Sequence, residues 1–193
     1  MSGRRPSILV TAGSTRGGSF NARLAALVAR EVALREAEVR LVSLADYPLP
    51  LYDADLEADA GIPEPAGKLG DLLLASDGVF IASPEYNQSV TPLLKNTIDW
   101  LSRIRLSGGR SLWTNRVFAI GAASPGHFAG IRSLMQLRQI LENSLGARVL
   151  TEQVAVPYAA DAFDARGSLV NDKATAQVDR LVAALIAEAG RYA

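Results

Sequence analysis

The feature of the sequence that most constrains the fold is a five-fold alternation of short apolar runs with longer stretches of helical pattern. The apolar runs are rich in Val, Ile and Leu and occupy residues 7–12, 39–44, 78–83, 116–123 and 147–156. Near-continuous apolarity is typical of strands that are covered on both faces. After each run, apolar residues recur at helical spacing, as Leu24, Leu27 and Val28 do after the first. The alternation predicts an α/β fold with a parallel sheet and helices on both of its faces.

Two segments interrupt this alternation. Residues 45–66 contain four prolines, and residues 157–171 are rich in Ala, Asp and Gly. Such compositions are typical of long surface loops, which we predict for both segments. The length of 193 residues predicts one domain spanning 1–193, in which we expect residues 1–6 to be disordered.

Composition and charge exclude several classes of function. Twenty basic and twenty acidic residues cancel, so no overall field attracts nucleic acid or an anionic membrane. The absence of cysteine excludes disulfides, thiol catalysis and cysteine-bound metals, and the single histidine argues against a transition-metal site. No apolar stretch approaches the roughly 18 residues of a membrane-spanning helix, and the N-terminus shows no signal-peptide pattern. We therefore predict a cytoplasmic protein whose partners are small molecules.

Three loops are the expected positions of a ligand. In sheets of this type, ligands bind beyond the carboxyl ends of the strands, where the strand order reverses. The loops that follow strands one, three and four read "GSTRGGSFN", "PEYNQSVT" and "SPGHFAG".

The first loop opens a helix, where backbone N–H groups and the helix dipole favour an anion. It lacks the glycine spacing of dinucleotide sites and the lysine of a triphosphate loop. Its potential donors are Ser14, Thr15, Arg16, Ser19 and Asn21. Several hydroxyls and an arginine suit the nearly dianionic group of a phosphomonoester. The alternative is that Ser19 only caps the helix and the glycines only form the turn.

The third-strand loop combines structural signals with a binding pattern. Residues 91–92, Thr-Pro, are typical of a helix start, and Pro84 ends the strand. Glu85 could be a solvated charge and Tyr86 an ordinary half-buried aromatic. Beside a monophosphate site, however, residues 86–89 offer a flat side chain, amides and backbone N–H groups to a planar heterocycle. Flavin mononucleotide (FMN) has a phosphate at one end and such a ring at the other.

Two motifs, "GSTRGGSFNARLA" and "SPEYNQSVTPLLKNTIDWLSR", resemble the NADPH-dependent FMN reductase family, which includes quinone, chromate and azo-dye reductases. The resemblance implies a flavodoxin-like three-layer α/β/α sandwich with a five-stranded parallel sheet in the order 2-1-3-4-5. It also implies FMN as cofactor and NAD(P)H as co-substrate. Hydride would pass by ping-pong kinetics through bound FMN to a small acceptor, namely flavin, quinone, azo compound or chromate. No side chain is predicted to be catalytic, because the flavin carries the chemistry.

The resemblance assigns the phosphate to the first loop and the ring to the third and fourth loops. The implied cofactor-binding residues are Ser14, Arg16, Ser19, Phe20, Asn21, Pro84, Glu85, Tyr86, Asn87, Gln88, Ser89, Ser124 and Gly126. Gln88 stands where the family most often has glycine, and "SPGHFAG" replaces a glycine-rich stretch. Gly130 is a further candidate of this loop. His127 is either a general acid to a reducible substrate or a half-exposed loop histidine.

The helix that follows the third-strand loop bears on assembly. Lys95, Asp99 and Arg103 lie at i, i+4 and i+8, which predicts either a solvated ion-pair stripe or, by the resemblance, a subunit contact. Because the same helix presents Trp100, we predict a homodimer or a dimer of dimers with the flavin near the interface. Trp100 and Trp113 could each belong to a core or to an interface.

Two other functions fit the same fold. A flavodoxin-type electron carrier would bind FMN, but such carriers are usually strongly acidic and this chain is neutral. A non-catalytic flavin-binding regulatory module is also compatible with the fold.

Overall fold

The computed structural model describes residues 4–193. Its five strands form one parallel sheet in the order β2-β1-β3-β4-β5. The strands are β1 (Ser7–Ala12), β2 (Glu38–Ser43), β3 (Gly78–Ala82), β4 (Val117–Ala123) and β5 (Arg148–Val156). Each strand begins and ends within one residue of the bounds of the corresponding apolar run. The predicted strand order is confirmed.

Helices cover both faces of the sheet. The helices of the described chain are α1 (Phe20–Leu34), α2 (Ala54–Ala60), α3 (Glu64–Leu74), α4 (Pro92–Ser102), α5 (Ile131–Gln139) and α6 (Asp172–Ala189). α1 and α6 pack on one face, and α3, α4 and α5 pack on the other. α5 continues into a wider, π-helical segment, Ile140–Ser144. Within residues 4–193, none of the helices combines the length and apolarity that crossing a bilayer requires.

The sheet separates two apolar cores. Successive residues of a strand point to opposite faces, so Ile8 and Val10 join the core beneath α1 and α6. Leu9, between them, joins the core beneath α3, α4 and α5. Burial on both faces explains why the strands are almost continuously apolar in sequence.

The prediction of a loop over residues 45–66 is wrong, because the segment contains α2 and the start of α3. The Asp53 carboxylate caps α2 by accepting from the N–H of Asp55 at 2.8 Å. Pro63 and Pro65 flank the first residue of α3, where a proline lacks no helical hydrogen bond. These prolines therefore start a helix instead of breaking one. Residues 157–171 form a loop, as predicted.

Trp100 on α4 is buried within the chain, with none of its surface exposed. Its indole N–H donates to the Pro50 carbonyl at 2.8 Å, and its ring contacts Tyr52 edge-on. The segment before α2 thus covers this face of α4, which corrects the prediction that α4 presents Trp100 to a second subunit. Trp113 is also a core residue and stacks on Phe118.

The predicted charge stripe on α4 is only partly present. Lys95 and Asp99 form the expected pair at 2.7 Å. Arg103 pairs instead with Glu57 of α2 at 2.8 Å. Arg103 therefore holds α2 against α4, and it is not a free charge of a solvated stripe.

Part of the N-terminal segment lies against the sheet. Of residues 1–6, which we expect to be disordered, residues 1–3 lie outside the described residues. Arg4 makes two hydrogen bonds, of 2.6 and 2.7 Å, to the Asp77 carboxylate at the start of β3.

Candidate active site

The first and third loops are held together at the carboxyl ends of neighbouring strands. The N–H of Gly13 donates to Ala82 O at 2.8 Å, and the Thr91 hydroxyl donates to Gly13 O at 2.7 Å. The same hydroxyl accepts from the N–H of Leu94 at 3.2 Å and thereby caps α4. A Cβ at Gly13 would lie 3.0 Å from the Leu94 Cβ, so the approach leaves little room for a side chain. Thr91 therefore joins the two loops as well as starting the helix.

The first loop ends at the N-terminus of α1. The buried Ser19 hydroxyl accepts from the N–H of Ala22 at 3.4 Å, which confirms Ser19 as the helix cap. Within residues 4–193, no acceptor contacts the backbone N–H groups of Phe20 and Asn21. Unpaired N–H groups at the start of a fifteen-residue helix form an environment that favours an anion.

Arg16 lies exposed beside this helix start. Its guanidinium donates to the carbonyls of Gly17 and Gly18 at 3.1 and 3.5 Å and lies 5.9 Å from the centre of the Phe20 ring. The Ser14 hydroxyl accepts weakly from the N–H of Arg16, at 3.4 Å. These contacts are local and exposed, so the guanidinium can turn towards an anion at little expense.

The Asn21 side chain bonds to the sheet, so the part of Asn21 that is available to a phosphate is its backbone N–H. Asn21 is only 4% exposed and faces the sheet. Its Nδ2 donates to Ala123 O at 2.8 Å, and its Oδ1 accepts from the N–H of Ala123 at 3.0 Å. The amide thus matches both backbone groups at the end of β4 and ties the first loop to the fourth.

The third-strand loop contains a tight turn with an unusual backbone. Tyr86 and Ser89 exchange two backbone hydrogen bonds of 3.0 Å. The two residues between them, Asn87 and Gln88, have φ of +49° and +66°. Two successive positive φ values match a type I′ turn, in which the second central residue is usually glycine. Glycine would adopt the φ of position 88 without steric strain, whereas Gln88 does not.

The same turn presents free donors. No described residue accepts a hydrogen bond from the backbone N–H groups of Asn87 and Gln88, and both residues are exposed. Tyr86 is 50% exposed beside them. The turn therefore offers two N–H groups and an aromatic side chain to a ligand.

We expect Gln88→Gly to raise the free energy of unfolding by about 1 kcal/mol, because glycine adopts a positive φ without steric strain. Denaturant unfolding of the protein without ligand measures the change. Glu36→Gly is a matched control, since Glu36 also has a positive φ, of +60°, but lies at the end of α1. Both variants should be stabilised, and only Gln88→Gly should change the binding of a ligand at this loop. A less stable Gln88→Gly variant would show that the turn is not strained.

Glu85 is not the solvated charge that we considered as an alternative. Its carboxylate accepts from the N–H groups of Arg132 and Ser133, at 3.0 and 3.4 Å, at the start of α5. It also pairs with the Arg132 guanidinium at 3.1 Å. The third loop is thereby attached to the helix that follows the fourth loop. Arg132 and Ser133 had no signal in the sequence, because they lie 47 and 48 residues from Glu85.

The fourth loop begins with a tight turn of its own. The Ser124 hydroxyl accepts from the N–H of Gly126 at 3.3 Å. The N–H of Ser124 donates to Val156 O, and the carbonyl of Ser124 accepts from the N–H of Ala159. Gly130 has a φ of +80°, and a Cβ there would lie 2.8 Å from the Ala122 Cβ. Both the positive φ and the lack of space therefore require a glycine at position 130, at the start of α5.

Three ring side chains and Arg132 form the outer rim of this loop. His127 Nδ1 lies 3.0 Å from the Tyr158 hydroxyl, so the only histidine contacts the loop after β5. Phe128 is 57% exposed and stacks against the Arg132 guanidinium at 4.3 Å. The rim is open to solvent and rich in flat surfaces.

The predicted site residues fall into three classes of exposure. Exposed residues are Arg16, Tyr86, Asn87, Gln88 and Gly126. Half-buried residues are Ser14, Phe20, Glu85, Ser89 and Ser124. Buried residues are Ser19, Asn21 and Pro84. The buried ones shape the loops, and the others remain available to a ligand.

The chemistry of these donors fits FMN. N–H groups that are unpaired among the described residues and an exposed arginine lie at one end, where the phosphate needs them. Further unpaired N–H groups and a half-exposed tyrosine lie at the end of the neighbouring strand, where the polar edge of a ring needs them.

Comparison with known proteins identifies the family. The sequence profile of the NADPH-dependent FMN reductases matches residues 6–161. The chain belongs to this family. Membership confirms the predicted enzyme class, an NAD(P)H-dependent oxidoreductase with FMN as its cofactor.

Two relatives and one solved structure show which enzymes this FMN reductase is similar to. A quinone reductase of Escherichia coli is 41% identical over 138 residues, which are 69% of this chain and 68% of the relative. An NAD(P)H-dependent FMN reductase of Pseudomonas aeruginosa is 35% identical over 186 residues, or 92% of both chains. Among solved structures, FerB of Paracoccus denitrificans, a flavoenzyme NAD(P)H:acceptor oxidoreductase, is 28% identical. It superimposes with a TM-score of 0.81 over 97% of this chain and 98% of FerB.

Proposed function

We propose that this protein reduces small acceptors with NAD(P)H through bound FMN, by ping-pong kinetics. The acceptors are of the class that includes flavins, quinones, azo compounds and chromate. The observation that carries the proposal is the pairing of two sets of unpaired N–H groups, at the start of α1 and in the 86–89 turn. Thr91 and Gly13 hold the two sets side by side. When bound, FMN supplies hydride acceptance from NAD(P)H and electron delivery to the second substrate.

The first loop would hold the phosphate. The N–H groups of Phe20 and Asn21 donate from the helix start, and the Arg16 guanidinium turns from its own loop to add a charge-assisted bond. Ser14 supplies a hydroxyl, and Ser19 contributes indirectly as the helix cap. The Asn21 side chain contributes only by fixing this loop against β4.

The third and fourth loops would hold the ring. The N–H groups of Asn87 and Gln88 would donate to its polar edge and would favour negative charge there. Pro84, Glu85 and Ser89 fix the shape of the turn. In the fourth loop, Ser124 and Gly126 are the residues that would contact the ring.

The rim of the fourth loop would meet the second substrate. Phe128 and the His127–Tyr158 pair give flat, partly polar surfaces in an open position. Such a rim suits small planar molecules and excludes little else, which agrees with a broad choice of acceptors. His127 is the candidate proton donor to an acceptor that is reduced there.

Steady-state oxidation of NADH and NADPH, with a panel of small acceptors and no added protein, tests this function. A reductase turns over with at least one quinone, azo compound, chromate or free flavin. Parallel lines in double-reciprocal plots would support ping-pong kinetics. An electron carrier binds FMN but does not turn over without a partner protein, and a regulatory module shows no turnover at all. Either of the last two results would contradict the proposal.

We also propose a homodimer in the cytoplasm, on grounds other than Trp100. A groove of about 430 Å³ separates α4 from α5 and is lined by Ser89, Pro92 and Ile140 among others. Met135 of α5, which is close in sequence to the residues that line the groove, is 65% exposed. A symmetric pairing through this face would bring the 86–89 turn close to a second subunit. Light scattering at micromolar concentration should give twice the chain mass, and a single-chain mass would refute the dimer.

A further inference from the structure

We propose that Glu85 and Ser133 are positioning residues that fix the third-strand loop against α5 and so determine how tightly the loop binds the flavin ring. This inference rests on the proposed function, but it concerns groups that need not touch the cofactor. The contacts that Glu85 and Ser133 make are here called the clamp. The clamp joins the third-strand loop to the start of α5, which is far away in sequence.

The carboxylate half of the clamp replaces a missing helix cap. α5 begins after Gly130, which has no side chain to cap the helix. The Glu85 carboxylate supplies the acceptor from another loop, by bonding to the N–H groups of Arg132 and Ser133. Its negative charge also interacts favourably with the positive end of the helix dipole and with the Arg132 guanidinium. Glu85 is therefore bound at three points and holds its own backbone in place.

The hydroxyl half of the clamp is fully buried. The Ser133 and Ser83 hydroxyls lie 2.6 Å apart, and Pro84 O lies within reach of both, at 2.9 Å from Ser133 and 3.3 Å from Ser83. One hydroxyl donates to Pro84 O, with the shorter distance favouring Ser133, and the other hydroxyl donates to the first. Neither serine has any exposed surface. These bonds fix the orientation of the peptide between Pro84 and Glu85.

The clamp lies directly before the groups that would bind the ring. Asn87 and Gln88, which carry the free N–H groups, follow Glu85 by two and three residues. Rotation of the peptide at Pro84 would therefore move both N–H groups relative to the first loop. A hydrogen bond that is displaced by less than an ångström loses most of its strength, since it weakens steeply with length and angle. The clamp thus serves the ring end of the site and leaves the phosphate end unaffected.

Four variants test the proposal. Glu85→Ala removes the carboxylate, Glu85→Gln keeps one oxygen as an acceptor for α5, and Ser133→Ala removes only the hydroxyl. Glu57→Ala is the matched control, because Glu57 also pairs with an arginine, Arg103, and has a similarly sheltered side chain. Fluorescence titration gives the affinity of each variant for FMN and for riboflavin, and thermal unfolding gives its stability.

Glu85→Ala and Ser133→Ala should lose affinity for FMN and riboflavin by the same factor, about ten-fold. Glu85→Gln should recover most of this loss. Glu57→Ala should lose stability but keep the affinities of the wild type, because its ion pair lies on α2 and α4. Equal loss for the two flavins distinguishes this effect from damage to the phosphate site.

Wild-type riboflavin affinity in Glu85→Ala or in Ser133→Ala would overturn the clamp while leaving the proposed function intact. If Glu85→Ala does not fold, Ser133→Ala decides alone, since it removes a single hydroxyl. Failure of the wild-type protein to bind either flavin would instead refute the proposed function.

Discussion

Replacing Arg16 with alanine is expected to weaken FMN binding ten- to hundred-fold and to leave riboflavin binding almost unchanged. Within residues 4–193 the guanidinium bonds to two carbonyls of its own loop and lies beside the Phe20 ring, so its removal disturbs little. With FMN bound it would bond to a phosphate dianion, and loss of such a bond typically costs about 1.5–3 kcal/mol. Riboflavin lacks the phosphate and cannot make this contact. Parallel titrations of wild type and variant with both flavins measure the difference.

Arg30→Ala is the control for the change of charge. Arg30 lies further along α1 and donates to Arg166 O and to the Ser168 hydroxyl. The substitution removes the same charge at a distance from the first loop, so it should alter neither the affinity for FMN nor that for riboflavin. If Arg16→Ala loses affinity for both flavins equally, Arg16 shapes the loop and does not bind the phosphate.

Asn21→Ala is expected to lower the free energy of unfolding by about 3 kcal/mol. The Asn21 amide satisfies both backbone groups of Ala123 in a buried position. Without it, one N–H and one carbonyl remain buried and unpaired, and each such group costs about 1–3 kcal/mol. Denaturant unfolding of the protein without flavin measures the loss directly.

Asn171→Ala provides the comparison for Asn21→Ala. Asn171 caps α6 by accepting from the N–H groups of Lys173 and Ala174, and it is exposed to water. Loss of an exposed cap should cost only about 1 kcal/mol. If the two variants lose the same stability, the Asn21 bonds to β4 are not the link between the first and fourth loops that the structure indicates.

The sheet could be predicted from the sequence because the composition of each strand reflects the burial of its two faces. A parallel strand buried on both faces is almost uniformly apolar over its whole length, so β1 and β3 begin where their runs begin. The positions of the binding loops then follow from topology, since ligands bind beyond the carboxyl ends of such strands.

The roles of individual side chains could not be predicted in the same way. Asn21, Glu85 and Trp100 each bond to a partner between 47 and 102 residues away. Local spacing contains no information about such partners, so it did not show that the Asn21 side chain bonds to β4 or that Trp100 belongs to the core. The start of α3 was missed for a different reason, because prolines that start helices look the same in sequence as prolines that break them.

The central claim is that the two sets of unpaired N–H groups, at the start of α1 and in the 86–89 turn, hold an FMN that NAD(P)H reduces. Purified protein reconstituted with FMN and kept free of oxygen tests this claim most directly, by the visible absorption of the flavin. We expect the band to shift on binding and then to bleach when NADH or NADPH is added, much faster than for free FMN. A bound flavin whose absorption neither nucleotide bleaches would contradict the account.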